Sequence, residues 1–261
     1  VAGAEANARH NDVVFSWCLR DGAGNVVESS RAEVALPTAS VGKVLLLLAV
    51  ADALAAGRLD ARARLVRPDP VADSGLWQHL PTVQLTPAEA AVLVAAVSDN
   101  LATNALLEVI GLDALQAMVT DLGFQTLGLH DRVRDTRTAD HPPELSSGSA
   151  AEWSWLMHGL ATKSLMSPEV SSQVLSWLSL SVDHSLVLAP FACDPLVAER
   201  PGWLCANKTG SDPGLRADVG MVRQGDRTFT YAALANDESE YDAVTQMRSW
   251  GARMRFLLMS H

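Results

Sequence analysis

Hydrophobic positions follow two different periods in different parts of the chain. Val13 to Leu19 (VVFSWCL) is an apolar run rich in β-branched and aromatic residues and reads as a strand. Asp21-Gly-Ala-Gly24 then turns the chain back into a second extended stretch, Asn25 to Glu28. Ahead of these, residues 4–10 mix alanine with charge and read as a short helix. From Thr38-Ala39 the pattern becomes helical, running through a leucine cluster to about Ala56 and stopping at Gly57. Further helices are predicted over Thr86 to Val97, Ala102 to Ile110, Leu112 to Leu122, Ala150 to about Leu160, and Pro168 to Leu178. Residues 127–149, rich in Arg, Asp, His, Pro and Ser, read as a loop. Strands return over Gly202 to Asn207, Asp218 to Arg223 and Thr228 to Ala235, the last two parted by a Gln224-Gly225-Asp226 turn. A helix over about Glu240 to Leu258 closes the chain.

Strands at both ends with helices between them predict an α/β (α+β) fold. Its antiparallel sheet would be built from both termini and flanked by helices, with an all-α lobe inserted. The expected division of the single domain 1–261 is a sheet lobe of approximately 1–37 and 196–261 and a helical lobe of approximately 38–195.

Composition narrows the function classes. With 48% hydrophobic and 19% charged residues, the chain has the make-up of an ordinary globular protein with a full core. Val44-Leu-Leu-Leu-Leu-Ala-Val50 is far shorter than the roughly 18 apolar residues of a membrane span, so no span is expected. The net charge of −10 offers no concentrated basic face for a phosphate backbone, which argues against nucleic-acid binding. Cys18, Cys193 and Cys205 are an odd set; Cys18 and Cys205 lie in apolar runs where a free thiol packs as a small hydrophobe. The first residues, Val-Ala-Gly-Ala-Glu, contain no Met, basic n-region or apolar h-region, as expected of a chain whose leader is removed or trimmed.

Three short strings carry chemistry. In Ser40-Val-Gly-Lys43 the serine and lysine are three apart at a helix start and share one face. A serine hydroxyl needs a base, and Lys43 serves if burial beside Lys208 lowers its pKa by desolvation and like-charge repulsion. The backbone N–H groups of a helix start also suit an oxyanion. Ser98-Asp99-Asn100 falls between two predicted helices. Ser98 there can relay a proton to a leaving nitrogen, Asp99 can hold the loop, and Asn100 can bond both Lys43 and a substrate amide. Lys208-Thr209-Gly210 follows a strand. Its ammonium and hydroxyl would grip a carboxylate, Gly210 would let a ligand approach the backbone, and Arg216 would add charge. Alone, each string is more often a cap or an exposed turn; together and in order they describe nucleophile, base, relay and anion site.

The set resembles the penicillin-recognising serine enzymes, most nearly the class A β-lactamases, across almost the whole chain. The resemblance implies an acyl-enzyme on Ser40, with Lys43 as base partner and Ser98 as proton shuttle. Asn100 would contact the substrate side chain, and Lys208 and Thr209 its carboxylate. The backbone N–H groups of Ser40 and Ser211 would form the oxyanion hole. The substrate is then a small molecule, a β-lactam, ester or peptide bearing a carboxylate. No cofactor and no metal are needed, and an exported monomer is expected. Esterase or DD-peptidase-like behaviour with slow deacylation is the alternative, and a non-catalytic ligand-binding module a third reading.

One part of the family pattern is missing. The loop glutamate that activates the deacylating water has no counterpart between Asp131-Arg132 and Arg134-Asp135-Thr136; Glu144, before Leu145-Ser146, is the displaced candidate. His130, Asp131, Asp135, Asp140 and His141 in the same loop lack zinc spacing and alternate with arginines, so ion pairs within the loop are the expectation. Trp153, Trp155, Trp177 and Trp203 read as packing residues, with Trp203 also placed to line a cleft beside the Lys-Thr-Gly strand.

Overall fold

The structure, a computed structural model, describes residues 15–72, 74–194, 202–236 and 240–260. The helix and strand start read at residues 4–10 and 13–14 lie outside these.

Strands β1 (Phe15–Arg20) and β2 (Val26–Ser30) form the first hairpin, and β3 (Ala35–Pro37) leads to a 3-10 turn at Ala39–Gly42 that runs into α1 (Lys43–Ala55). Two short strands, β4 (Leu65–Val66) and β5 (Gln84–Leu85), pair ahead of α2 (Pro87–Val97), α3 (Asn100–Ile110) and α4 (Leu112–Asp121). Strands β6 (Gly128–Leu129) and β7 (Ser146–Ser149) bracket the polar loop, and α5 (Ala150–Ala161) and α6 (Pro168–Leu178) follow. The chain ends in β8 (Leu204–Asp212), β9 (Leu215–Gln224), β10 (Arg227–Asn236) and α7 (Glu240–Met259). The main sheet has the order β2-β1-β10-β9-β8 and every pairing is antiparallel, so both termini build it.

The period-two pattern of the strands divides the core between the two sheet faces. Cys18, Ala217, Val219, Met221, Ala232 and Leu234 face a core shared with the central helices. Leu19, Tyr231, Ala233 and Ala235 face Ala243, Met247, Trp250, Met254 and Leu258 of α7, an apolar stripe at helical spacing. Helix α1 is apolar all round, and Leu45 to Leu48 are wholly buried because α2, α3, α4 and α6 surround it. Helix starts are fixed locally: Thr86 and Glu89 make a reciprocal capping box at α2, while Asp99, Ser149 and Ser167 cap α3, α5 and α6.

Four sequence expectations change. The first helix is split, because Ala39 has a φ of +47° and the turn bearing Ser40 is 3-10 before the α-helix begins at Lys43. The Lys-Thr-Gly string lies inside β8 rather than after it, extended through Asp212 by pairing with β9. The polar loop carries β6 and β7, which pair with each other and, through β7, with β3; Ser146-Ser-Gly-Ser149 has no hydrophobic alternation to announce a strand. Trp203 packs edge-on against Phe191, ring centres 5.3 Å apart, on the α7 side of the sheet and not in a cleft. Cys18, Cys193 and Cys205 are not joined in disulfides, and the first and last are fully buried. Among the described residues no single helix is long and apolar enough to cross a membrane.

Candidate active site

A cavity of about 570 Å³ opens where the 3-10 turn, the α2–α3 junction, the segment after α6 and strand β8 meet. Ser40, Ser74, Ser98, Asp183, Lys208, Thr209, Ser211 and Arg216 are among its lining residues. Strings far apart in sequence thus share one wall-to-wall space.

Two of its backbone positions are strained. Ser98 caps α2 in the left-handed region at φ +58°, and Ala39, just before Ser40, has φ +47°. The first is held from below: Asp99, fully buried, accepts from the backbone N–H groups of Leu76 (2.7 Å), Trp77 (2.8 Å) and Ala102 (2.9 Å). Gly75 sits against that carboxylate at φ +135°, and an added Cβ there would stand 2.6 Å from Asp99. The segment carrying Ser74 is therefore clamped onto the α2–α3 junction, where the Ser74 hydroxyl donates to the Ser98 carbonyl at 2.8 Å.

Lys43 lies wholly buried beneath Ser98. Its Nζ is 2.7 Å from the Ser98 carbonyl, 2.7 Å from Asn100 Oδ1 and 3.1 Å from Ser98 Oγ. Desolvation, then the nearby Lys208 charge, pull its pKa well below the ordinary lysine value, against the opposing pull of Asp99 and Asp212. All three oxygens lie within reach of the Lys43 N–H donors, the Ser98 hydroxyl being the longest contact.

On the opposite wall Lys208 is also buried, its Nζ donating to the Thr209 carbonyl at 2.8 Å. Burial lowers its pKa to about 8, while Asp183 and Asp218 resist that shift. The Thr209 hydroxyl donates to Asp183 Oδ2 at 2.7 Å. Burial alone would raise Asp183, yet bonds from Ser185 and Thr209 and the Lys208 charge hold it below the usual carboxylate range. Beneath the strand, Asp218 accepts from Asn207 Nδ2 (3.0 Å), Tyr231 OH (3.1 Å) and Val187 N–H (3.0 Å), and burial lifts its pKa to about 7.

Gly210 has a different reason to be glycine from the one its motif suggests. A Cβ there would drive into the Thr38 carbonyl and stand 3.1 Å from the backbone nitrogens of Ser40 and Val41. The protein's own turn, rather than a ligand, occupies that approach, which brings β8 flush against Ser40.

The structure therefore gathers Ser40, Ser98, Lys208, Thr209, Ser211 and Arg216 around one cavity, with Lys43 just behind. Asn100 is not among the lining residues, but its Oδ1 accepts from Lys43 as expected, and its Nδ2 donates to the Ala72 carbonyl at 2.9 Å. Glu144 lines a separate hollow with Leu112, Gln116, His130 and Pro142. The loop is pinned elsewhere, since Asn104 exchanges two hydrogen bonds with the backbone of Val133, and Asp131 is paired with Arg134 (2.8 Å) and Arg137 (4.0 Å). None of residues 127–149 is among those lining the Ser40 cavity. Ser74 and Asp183 escaped sequence reading, because each meets the site only through tertiary contact.

Comparison with known proteins identifies the family and the fold. Residues 4–254 match the model of the β-lactamase enzyme family. The fold is similar to that of a β-lactamase from Sphaerobacter thermophilus (TM-score 0.81, 23% identity, covering 93% of this chain and 89% of that one). It is also similar to PBP-A (TM-score 0.80, 20% identity, 97% and 93% covered). A third similar structure is an ancestral class A β-lactamase, from the last common ancestor of Gram-negative bacteria (TM-score 0.77, 22% identity, 93% and 94% covered). With the family matched over nearly its full length and the fold shared, the chain belongs to the β-lactamase enzyme family.

Proposed function

We propose that this chain is a serine hydrolase that opens an activated amide or ester through an acyl-enzyme on Ser40, with a β-lactam amide as the model substrate. The observation that carries the reading is the wholly buried Lys43, its pKa pulled down by desolvation and the Lys208 charge, one turn from Ser40 and in contact with the Ser98 hydroxyl. Ser40 Oγ attacks the carbonyl carbon, and its proton passes to Lys43. The backbone N–H groups of Ser40 and Ser211 stabilise the oxyanion; the flush seating of Gly210 against Ser40 supports that pairing. Ser98 then hands a proton to the leaving nitrogen or oxygen, and Lys43 restores it. Water finally cleaves the acyl ester.

A slow last step is favoured by a specific observation: the 127–149 loop brings no carboxylate to the cavity. The reading is thus nearer to penicillin-binding or esterase behaviour than to rapid β-lactam turnover. One of the similar PBP-A structures is an acyl-enzyme complex with penicillin G. The whole chain would act as one catalytic domain with the cavity between its sheet and helical lobes, as an exported monomer and without a cofactor.

Intact-protein mass spectrometry after mixing with a β-lactam tests this. The expected result is a covalent adduct that persists for many minutes and vanishes in Ser40→Ala. An adduct unaffected by Ser40→Ala would overturn it.

A further inference from the structure

A carboxylate of the protein takes the side-chain hydrogen bond of the Lys-Thr-Gly strand's threonine. The Thr209 hydroxyl, the strand's side-chain donor to an anion, gives its hydrogen bond to Asp183 Oδ2 at 2.7 Å. Asp183 is not free to swing away. Its Oδ1 accepts from the Ser185 hydroxyl (2.6 Å) and backbone N–H (3.1 Å), and its own carbonyl accepts from Asn207 Nδ2 at 3.0 Å. Lys208 is turned to the Thr209 carbonyl and neighbours the Asp183 charge. Around the cavity the charges balance: Lys208 and Arg216 stand with Asp183 and Asp212. Arg216 Nη1 is itself engaged by the carbonyls of Asp212 (2.9 Å) and Leu215 (2.6 Å).

We propose, resting on the Ser40 reading above, that Asp183 is a specificity-determining residue. It selects acyl donors that carry no carboxylate beside the scissile bond, neutral or cationic esters and amides, over anionic ones. A substrate carboxylate would have to displace an internal carboxylate from Thr209 or sit beside it, and like charges in a partly desolvated site repel. A neutral donor meets neither obstacle. In the acylation step the Ser40 Oγ–acyl carbon bond forms and the acyl carbon–heteroatom bond breaks. The Ser40 proton reaches the leaving atom by way of Lys43 and Ser98, so no co-reactant is needed. Asp183 takes no part in that transfer and acts on which donor is admitted.

Penicillin G and its methyl ester differ only in the carboxylate and form a clean pair of probes. Rates of Ser40 adduct formation are followed by intact-protein mass spectrometry for the wild type, Asp183→Asn and Ser40→Ala. The wild type is expected to be acylated at least tenfold faster by the methyl ester. Asp183→Asn is expected to shift the ratio of the two rates at least tenfold towards penicillin G. Equal or reversed wild-type rates would overturn the assignment, as would an unchanged ratio in a folded Asp183→Asn protein, while Ser40-dependent adducts would leave the acyl-enzyme reading intact. No adduct from either probe, or adducts that survive Ser40→Ala, would instead remove that reading and this proposal with it.

Discussion

Two buried lysines stand at one cavity, Lys208 lining it and Lys43 just behind Ser98, yet their surroundings act on them differently. Lys43 meets three neutral oxygens, from Ser98 and Asn100, and lies close to a second cation, so its proton is held weakly. Lys208 stands near Asp183 and Asp218, which resist the loss of its charge, and it stays protonated below about pH 8. Burial acts on both; the neighbouring charges decide the difference. The lesson is that burial lowers a lysine further where a second cation adds to it, as Lys208 does at Lys43, than where only carboxylates act beside it, as Asp183 and Asp218 do at Lys208.

That contrast can be broken by exchange with an apolar chain of similar length. Lys43→Met should lower the rate of Ser40 acylation by a neutral ester about 10²–10⁴-fold, the usual worth of a general base. Lys208→Met should lower the same rate by only about tenfold, the low end of what one charge-assisted contact is worth, because a neutral ester offers that ammonium no anion. Stopped-flow release of a chromogenic leaving group reads both. Equal losses would mean that the two lysines share one role.

A smaller effect concerns the acid under Lys208. Asp218 keeps its proton in the folded state up to about pH 7, whereas an ordinary carboxyl loses it near 3.8. Between those values the native state binds more protons than the unfolded one, so this group makes stability fall as pH rises, by at most about 1.4 kcal/mol per pH unit. Asp218→Asn should flatten that fall in urea titrations between pH 4 and 7. A slope identical to that of the wild type would show that Asp218 ionises normally.

The sequence was most legible where function is written locally. Ser40 and Lys43 share a turn, Ser98 and Asn100 share a junction, and Lys208 and Thr209 share a strand, so each set is visible as a short string and the three in order point to one site. The antiparallel sheet from both ends was legible for the same reason, since its strands alternate and its turns carry glycine. Asp183 was invisible because nothing in Val182-Asp-His-Ser185 marks a carboxylate that reaches another strand's threonine. Glu144 was suggested by the Leu145-Ser146 that follows it, and the fold places it in a different hollow from the one Ser40 lines. Gly210 was named correctly with the wrong neighbour: only tertiary packing reveals that Thr38 is what it must clear.

The central claim is that Ser40 is acylated with an unprotonated Lys43 as base. The most direct test is the rate of Ser40 acylation by a neutral aryl ester, measured by mass from pH 5 to 10 in wild-type and Lys43→Met proteins. A wild-type rate that levels off well below the ordinary lysine value of 10.5, with the plateau absent in Lys43→Met, is the expected result. A rate rising in proportion to hydroxide up to pH 10 in both proteins would contradict it.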